Sequence, residues 1–134
     1  MIISAALFYE GKPRQALAAA QREGVILVSD EIVRELSDTL SRKKFERYIS
    51  EEDRGRFLQS LLQAAELIEV VATIRECRDP RDNKYLEAAV SGRAQCIVSG
   101  DTDLLVLHPF RGISILTPHE FLERLQSGSS WTDT

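Results

Sequence analysis

Short apolar runs alternate with segments of helical spacing along most of this chain. Four runs of β-preferring residues predict strands, at residues 25–28, 68–72, 96–99 and 113–116. The runs are apolar at successive positions rather than at alternate ones, so we expect helices to cover both faces of the sheet. The alternation predicts a three-layer α/β/α domain with a parallel central sheet and right-handed crossovers.

The segments between these runs carry their apolar residues at helical spacing. Ser29 has the side chain of an N-cap and precedes a helix that carries Ile32 on its apolar face. Residues 117–120, Thr-Pro-His-Glu, combine an N-cap, a proline at the first helical position and a glutamate at the third, and they predict a capped final helix. Residues 2–8 mix isoleucine with alanine, and we interpret them as a short buried helix.

Length and composition indicate one ordinary globular domain. The 134 residues are 43% hydrophobic and 28% charged, which is far from disordered or membrane compositions. We assign residues 1–126 to the domain and residues 127–134 to a polar tail. The sequence contains no apolar run of about 18 residues and no signal peptide, so we expect a cytoplasmic protein that does not enter a membrane.

The charge pattern limits how this chain could bind nucleic acid. A net charge of −4 argues against a protein that coats nucleic acid non-specifically, but it is compatible with a nuclease whose metal ligands are acidic. The densest basic cluster is Arg42, Lys43 and Lys44, which is either a solvated face or a phosphate contact. We interpret Cys77 and Cys96 as reduced, partly buried hydrophobes.

Acidic residues stand where the chain leaves predicted strands or enters predicted helices. Asp82 precedes a helix, and Asp101 and Asp103 directly follow the strand at residues 96–99. The carboxyl ends of parallel strands meet at one edge of a sheet, so these side chains can converge there. Aspartates at such positions are commonly N-caps or turn residues, and we assign Asp79, which precedes a proline, to that structural role.

Glu35 is the fourth acidic candidate, and its position leaves two interpretations open. It lies at the margin of the apolar face of its predicted helix, where an unpaired carboxylate would be costly. Its partner is either an arginine from across the fold or a metal ion. Helical periodicity does not distinguish these alternatives.

Carboxylates that converge in this way repel one another unless a cation lies among them. Hard oxygen ligands suit Mg²⁺ or Mn²⁺, and such ions can promote in-line displacement at a phosphodiester. The sequence contains no phosphate-binding loop, no dinucleotide fingerprint and no nucleophile elbow. The acids therefore predict a divalent-metal site that includes Asp82 and Asp101.

Two motifs carry a family resemblance. Residues 77–86, Cys-Arg-Asp-Pro-Arg-Asp-Asn-Lys-Tyr-Leu, and residues 97–105, Ile-Val-Ser-Gly-Asp-Thr-Asp-Leu-Leu, resemble the PIN domain family, in the branch of toxins from toxin–antitoxin pairs. The resemblance implies a Mg²⁺- or Mn²⁺-dependent ribonuclease that cuts single-stranded RNA, binds a cognate antitoxin and forms a homodimer. The residues that it implies for the site are the metal-site acids Glu35, Asp82 and Asp101, the accessory acid Asp103 and the supporting residues Ser99 and Asn83.

The start of the chain departs from the family pattern. The family opens with a strand that ends in an Asp-Thr-Asn-like motif, whereas residues 1–5 of this sequence match what normally follows that motif. We therefore expect the first strand and the first site aspartate to be missing, and metal binding and cleavage to be impaired. The rival interpretation is a catalytically inactive PIN-like module that binds RNA or an antitoxin. A haloacid-dehalogenase-like phosphatase is a weaker alternative, since no nucleophilic aspartate motif follows an opening strand.

Overall fold

The structure is a computed structural model that describes residues 2–4, 19–20, 22, 24–40 and 51–127. Its strands are β1 (Ile2–Ser4), β2 (Leu27–Val28), β3 (Glu66–Leu67), β4 (Cys96–Val98) and β5 (Ser114–Leu116). Its helices are α1 (Asp30–Leu40), α2 (Glu51–Ala64), α3 (Asn83–Ser91), α4 (Thr102–Leu105) and α5 (Pro118–Ser127), and a 3-10 turn (Pro80–Asp82) leads into α3.

All the paired strands are parallel. One sheet has the order β1-β4-β5, with Ile3, Ile97 and Ile115 in register across it, and a second pairs β2 with β3. Strand β1 also contacts β2, so the two ladders lie beside each other. Parallel strands connected through helices confirm the α/β class, while the three-layer α/β/α arrangement remains a prediction.

The helix predicted at residues 2–8 is wrong for residues 2–4, and its remaining residues, 5–8, lie outside the described part of the chain. Residues 2–4 form the strand β1 instead of a helix. This strand pairs with Cys96–Val98, so β4 has a neighbouring strand on the side where we expected none. Ile2 and Ile3 are β-branched, and a run this short has no periodicity that separates a strand from a helix. The four residues after Ser4 in the sequence, Ala-Ala-Leu-Phe, contain no acid.

The strand predicted at residues 68–72 is also misplaced. Strand β3 consists of Glu66 and Leu67, and both side chains are exposed. Beyond it, the backbone N–H groups of Val71 and Ala72 donate to Oγ of Ser91 instead of to a neighbouring strand. The apolar residues of this segment led us to expect a buried strand, yet the Val71 side chain is 80% exposed. The strands at residues 25–28, 96–99 and 113–116 are confirmed within one or two residues.

Two helix starts follow the predicted capping chemistry. Oγ of Ser29 accepts a hydrogen bond from the N–H of Ile32 at 3.3 Å, which makes Ser29 the cap of α1. At α5, Oγ of Thr117 accepts from the N–H of Glu120, whose carboxylate accepts from the N–H of Thr117. Helix α5 reaches Ser127, the first residue of the predicted tail, and the rest of that tail lies outside the described residues.

The core lies around β4, where Ile97 is fully buried together with Leu86 of α3. Cys77 and Cys96 are free thiols, as predicted, and both are more deeply buried than expected. Burial raises the pKa of Cys96 to about 12. His108 has a structural role, since its Nδ1 accepts a hydrogen bond from the N–H of Ile115 at 2.8 Å. In the described part of the chain, the helices are too short or too polar to cross a membrane.

Candidate metal centre

The loop after β4 presents Asp101 from a buried support. Oγ of Ser99, which is fully buried, accepts a hydrogen bond from the N–H of Asp101 at 2.9 Å. The Asp101 carboxylate then caps α4 by accepting from the N–H of Asp103 at 2.9 Å. Serine at this position therefore fixes the backbone of the acid that follows the strand. Asp103 lies one residue into α4, and its carboxylate is 3.9 Å from Nε of Arg78.

The 3-10 turn presents the second group of acids. Asp79 caps the turn, because its Oδ1 accepts from the N–H of Arg81 at 3.0 Å, and Pro80 is the first residue of the turn. Asp82 ends the turn and occupies the N-cap position of α3, but its side chain makes no capping hydrogen bond. The structural role that the sequence predicted for Asp79 is confirmed, and the carboxylate of Asp82 is left for another partner.

Asp82 is the most perturbed acid of the group. It is only 9% exposed, and its Oδ2 is buried with no hydrogen-bond partner. Burial, a hydrogen bond with the Asp101 side chain and the negative charges of Asp101, Asp79 and Glu35 raise the pKa of Asp82 from 3.8 to about 7. A carboxylate in such surroundings needs either a proton or a cation.

Three carboxylates are close enough to share an ion. Oxygens of Asp79, Asp82 and Asp103 all lie within 4.8 Å of one another. This arrangement, together with the unpartnered Oδ2 of Asp82, fits a divalent cation that prefers oxygen ligands. Among the described residues, Glu35 and Asp101 do not belong to such a set, although both line the same cleft as Asp82. Their roles in metal binding stay predictions.

Glu35 has protein partners. Its Oε2 accepts hydrogen bonds from Nζ of Lys84 at 2.6 Å and from the hydroxyl of Tyr85 at 2.8 Å. Of the two interpretations of Glu35, the protein partner is the one that the structure contains, and it is a lysine instead of the arginine that we considered. Burial and the Glu35 hydrogen bond raise the pKa of Tyr85. Nothing in the spacing of Tyr85 along the sequence indicates its contact with Glu35.

The remaining candidates are the supporting residue Asn83 and a basic cluster. Oδ1 of Asn83 accepts a hydrogen bond from the N–H of Cys77 at 2.9 Å, so it supports the segment that leads into the turn. The basic cluster of Arg42, Lys43 and Lys44 lies outside the described residues, and its contact with RNA remains a prediction.

The acids line a cleft of about 520 Å³. Its acidic lining residues are Glu31, Glu35, Asp38, Asp79, Asp82 and Asp101. Its basic lining residues are Arg34, Arg81 and Lys84. Because acids outnumber bases, the cleft repels phosphate groups unless cations neutralise it.

Comparisons with known proteins agree with the motifs. The sequence profile of a family described as "PIN domain" matches residues 1–103. An uncharacterized protein of Methanocaldococcus jannaschii is 26% identical over 136 residues, which cover 94% of this chain and 87% of that protein. No solved structure matches the chain significantly.

Proposed function

Because this chain belongs to the PIN domain family, whose members are generally metal-dependent nucleases, we propose that it is a Mg²⁺- or Mn²⁺-dependent endonuclease that cuts single-stranded RNA. We further propose that it is the toxin of a toxin–antitoxin pair and that it acts in the cytoplasm. The observation that carries the nuclease activity is the buried, unpartnered Oδ2 of Asp82 within a group of carboxylates at the carboxyl end of β4.

In the proposed mechanism, Asp82 and Asp101 hold the ion, with Asp103 as an accessory ligand. Bound Mg²⁺ or Mn²⁺ supplies activation of water and neutralisation of charge on the phosphodiester. Ser99 keeps Asp101 in place through the hydrogen bond to its N–H. Lys84 neutralises Glu35 and so reduces the negative charge that an approaching phosphate meets. No basic side chain is required to remove the proton of the attacking water.

A second candidate is a PIN-like module that binds RNA or an antitoxin without cutting. Two observations favour it: the printed sequence has no acid in the four residues after β1, and Oε2 of Glu35 already has two protein partners. Three carboxylates position and neutralise an ion less well than four. On this alternative, the cleft binds a cation weakly and RNA is not cleaved.

Single-stranded RNA with Mn²⁺ and with excess chelator separates these candidates. The nuclease predicts cleavage that requires Mn²⁺ and that Asp82→Asn abolishes. Cleavage that is equal with and without chelator would contradict it, because it would come from a contaminating or metal-independent activity. RNA binding without any cleavage would support the inactive module.

The proposed partners are a cognate antitoxin and a second copy of the chain, both from the resemblance of residues 77–86 and 97–105 to toxins of this family. Size-exclusion chromatography with light scattering tests the homodimer. Co-expression with the neighbouring reading frame tests the antitoxin, which is expected to copurify with the chain and to suppress cleavage.

A further inference from the structure

We propose that Asp79 is a further metal-binding residue of this site, sharing a divalent cation with Asp82 and Asp103, and that it releases the side chain of Arg81 when it does so. Such a role rests on the proposed metal-dependent function. It adds a residue that the motif comparison does not supply, since both sequence and structure first identify Asp79 as the cap of a turn.

The geometry brings Asp79 to the site from one side of Asp82. The two acids are the cap and the last residue of the same 3-10 turn, and i, i+3 residues of such a turn lie on one side of it. Their oxygens lie within 4.8 Å of each other and of an oxygen of Asp103. The buried Oδ2 of Asp82, which has no partner, is the independent sign that a ligand belongs among these groups.

The carboxylate of Asp79 is paired with the exposed side chain of Arg81, which can move into solvent. Nε and Nη2 of Arg81 donate to its two carboxylate oxygens at 3.2 and 3.0 Å. The Arg81 side chain is 85% exposed, so this ion pair is of the weak surface kind. The bond from the backbone N–H of Arg81 to Oδ1 does not depend on that side chain, and it keeps the carboxylate oriented after the guanidinium has moved away.

Asp79 also compensates for two features that weaken the site. The sequence offers no acid in the four residues after β1, and Oε2 of Glu35 is engaged by Lys84 and Tyr85. Asp79 adds a carboxylate from the 3-10 turn to the carboxylate of Asp103, which follows β4. A divalent ion gains affinity with each additional charged oxygen ligand, so Asp79 restores part of what is lacking.

Isothermal titration calorimetry with Mn²⁺ alone tests this assignment without RNA. Asp79→Asn keeps an oxygen that can cap the turn but removes the charge, and it is expected to raise the Kd at least about tenfold, the effect of losing even an outer partner of a ligand. The matched control is Glu31→Gln, which removes an exposed acid from the wall of the same cleft. It is expected to change the Kd far less.

A second pair of variants tests the release of Arg81. Arg81→Gln frees Asp79 and is expected to lower the Kd for Mn²⁺, whereas Arg34→Gln removes a charge from the same cleft without touching Asp79 and is expected to lower it less. Equal effects of these two variants, or wild-type Mn²⁺ affinity in folded Asp79→Asn, would overturn the assignment. If Asp79→Asn does not fold, the arginine pair decides.

Asp82→Asn separates this assignment from the proposed function. If Asp82→Asn loses Mn²⁺ binding while Asp79→Asn retains it, the metal site stands and only the role of Asp79 is wrong. If the wild-type chain neither binds Mn²⁺ nor cleaves RNA, the proposed function fails, and the role of Asp79 fails with it.

Discussion

Nζ of Lys84 lies 2.6 Å from Oε2 of Glu35, and it joins the start of α3 to the middle of α1. The lysine side chain is 14% exposed and that of the glutamate 37%, so water screens the pair only in part. We predict a coupling free energy of about 1 kcal/mol, at the upper limit for exposed pairs, in a double-mutant cycle of Glu35→Gln and Lys84→Met.

The chain contains a matched control for this measurement. Arg56 and Glu52 form an ion pair along α2 at 2.6 Å, with side chains that are 71% and 74% exposed. Their coupling in urea unfolding is expected to stay below about 0.5 kcal/mol, the usual value for an i, i+4 pair. Equal coupling for the two pairs would show that partial burial adds nothing to the Glu35 contact.

The raised pKa of Asp82 predicts how stability without metal depends on pH. The folded state binds the proton up to about pH 7, whereas the unfolded state releases it near 3.8. The free energy of folding that the Asp82 carboxyl contributes is therefore fully present below pH 3.8, its pKa in the unfolded state, and is lost as the pH rises through about 7. At pH 8 with chelator, Asp82→Asn is expected to melt at least about 3 °C above wild type, roughly the effect of 1 kcal/mol.

Thermal unfolding at pH 4 and pH 8 checks this prediction. The advantage of Asp82→Asn is expected to shrink at pH 4, where the wild-type carboxyl is protonated in the folded state and therefore carries no buried charge. Glu31→Gln, which changes the same charge at an exposed position in the cleft, controls for general electrostatic effects. An advantage of Asp82→Asn that is as large at pH 4 as at pH 8 would refute the perturbed carboxyl.

Gly92 follows α3 for a reason of packing. Its φ of −91° suits any residue, but an added Cβ would lie 2.8 Å from Cδ1 of Leu27 and 3.0 Å from Cγ1 of Ile68. Gly92→Ala is therefore expected to destabilise the fold by about 1–3 kcal/mol through overpacking. Gly55→Ala, within α2 and with nothing within 4 Å of the new Cβ, is expected to stabilise it by about 0.5–1 kcal/mol. Loss of stability in both variants would contradict this account of Gly92.

Two buried serines distinguish support of the fold from support of the site. Ser29→Ala removes the cap of α1, and Ser99→Ala leaves the N–H of Asp101 without its partner, so each is expected to cost about 1–2 kcal/mol. Only Ser99→Ala is expected to weaken Mn²⁺ binding as well, because Asp101 is then less firmly held. Unchanged Mn²⁺ affinity in Ser99→Ala would contradict the proposal that Ser99 supports the metal site.

The sequence predicted the parts of the fold where local chemistry and burial agree. The strand around Ile97 lies in the buried middle of the sheet, and the caps at Ser29 and Thr117 are local hydrogen bonds, so pattern alone located them. The prediction for residues 68–72 failed because two of the β-preferring side chains there, Val70 and Val71, are exposed to solvent. The prediction for residues 2–4 failed because their pairing with β4, and not a local sequence pattern, determines that they form a strand.

The site was predictable in its acids but not in its contacts. Positions after strands and before helices indicated Asp82 and Asp101. The pairing of Glu35 with Lys84 joins residues 49 positions apart, and helical periodicity gives no information on such a contact. The carboxylate of Asp79 can cap the turn and at the same time lie close to the carboxylates of Asp82 and Asp103. A sequence pattern indicates only the capping role.

The proposal of a metal-dependent ribonuclease is tested most directly by following cleavage of end-labelled single-stranded RNA by the wild-type chain, Asp101→Asn and Glu31→Gln, each with Mn²⁺ and with chelator. We predict cleavage by wild type and Glu31→Gln only when Mn²⁺ is present, and at least about a hundredfold slower cleavage by Asp101→Asn, the loss typical when a stabilising group is removed from an active site. Cleavage by Asp101→Asn at the wild-type rate would contradict the proposed site.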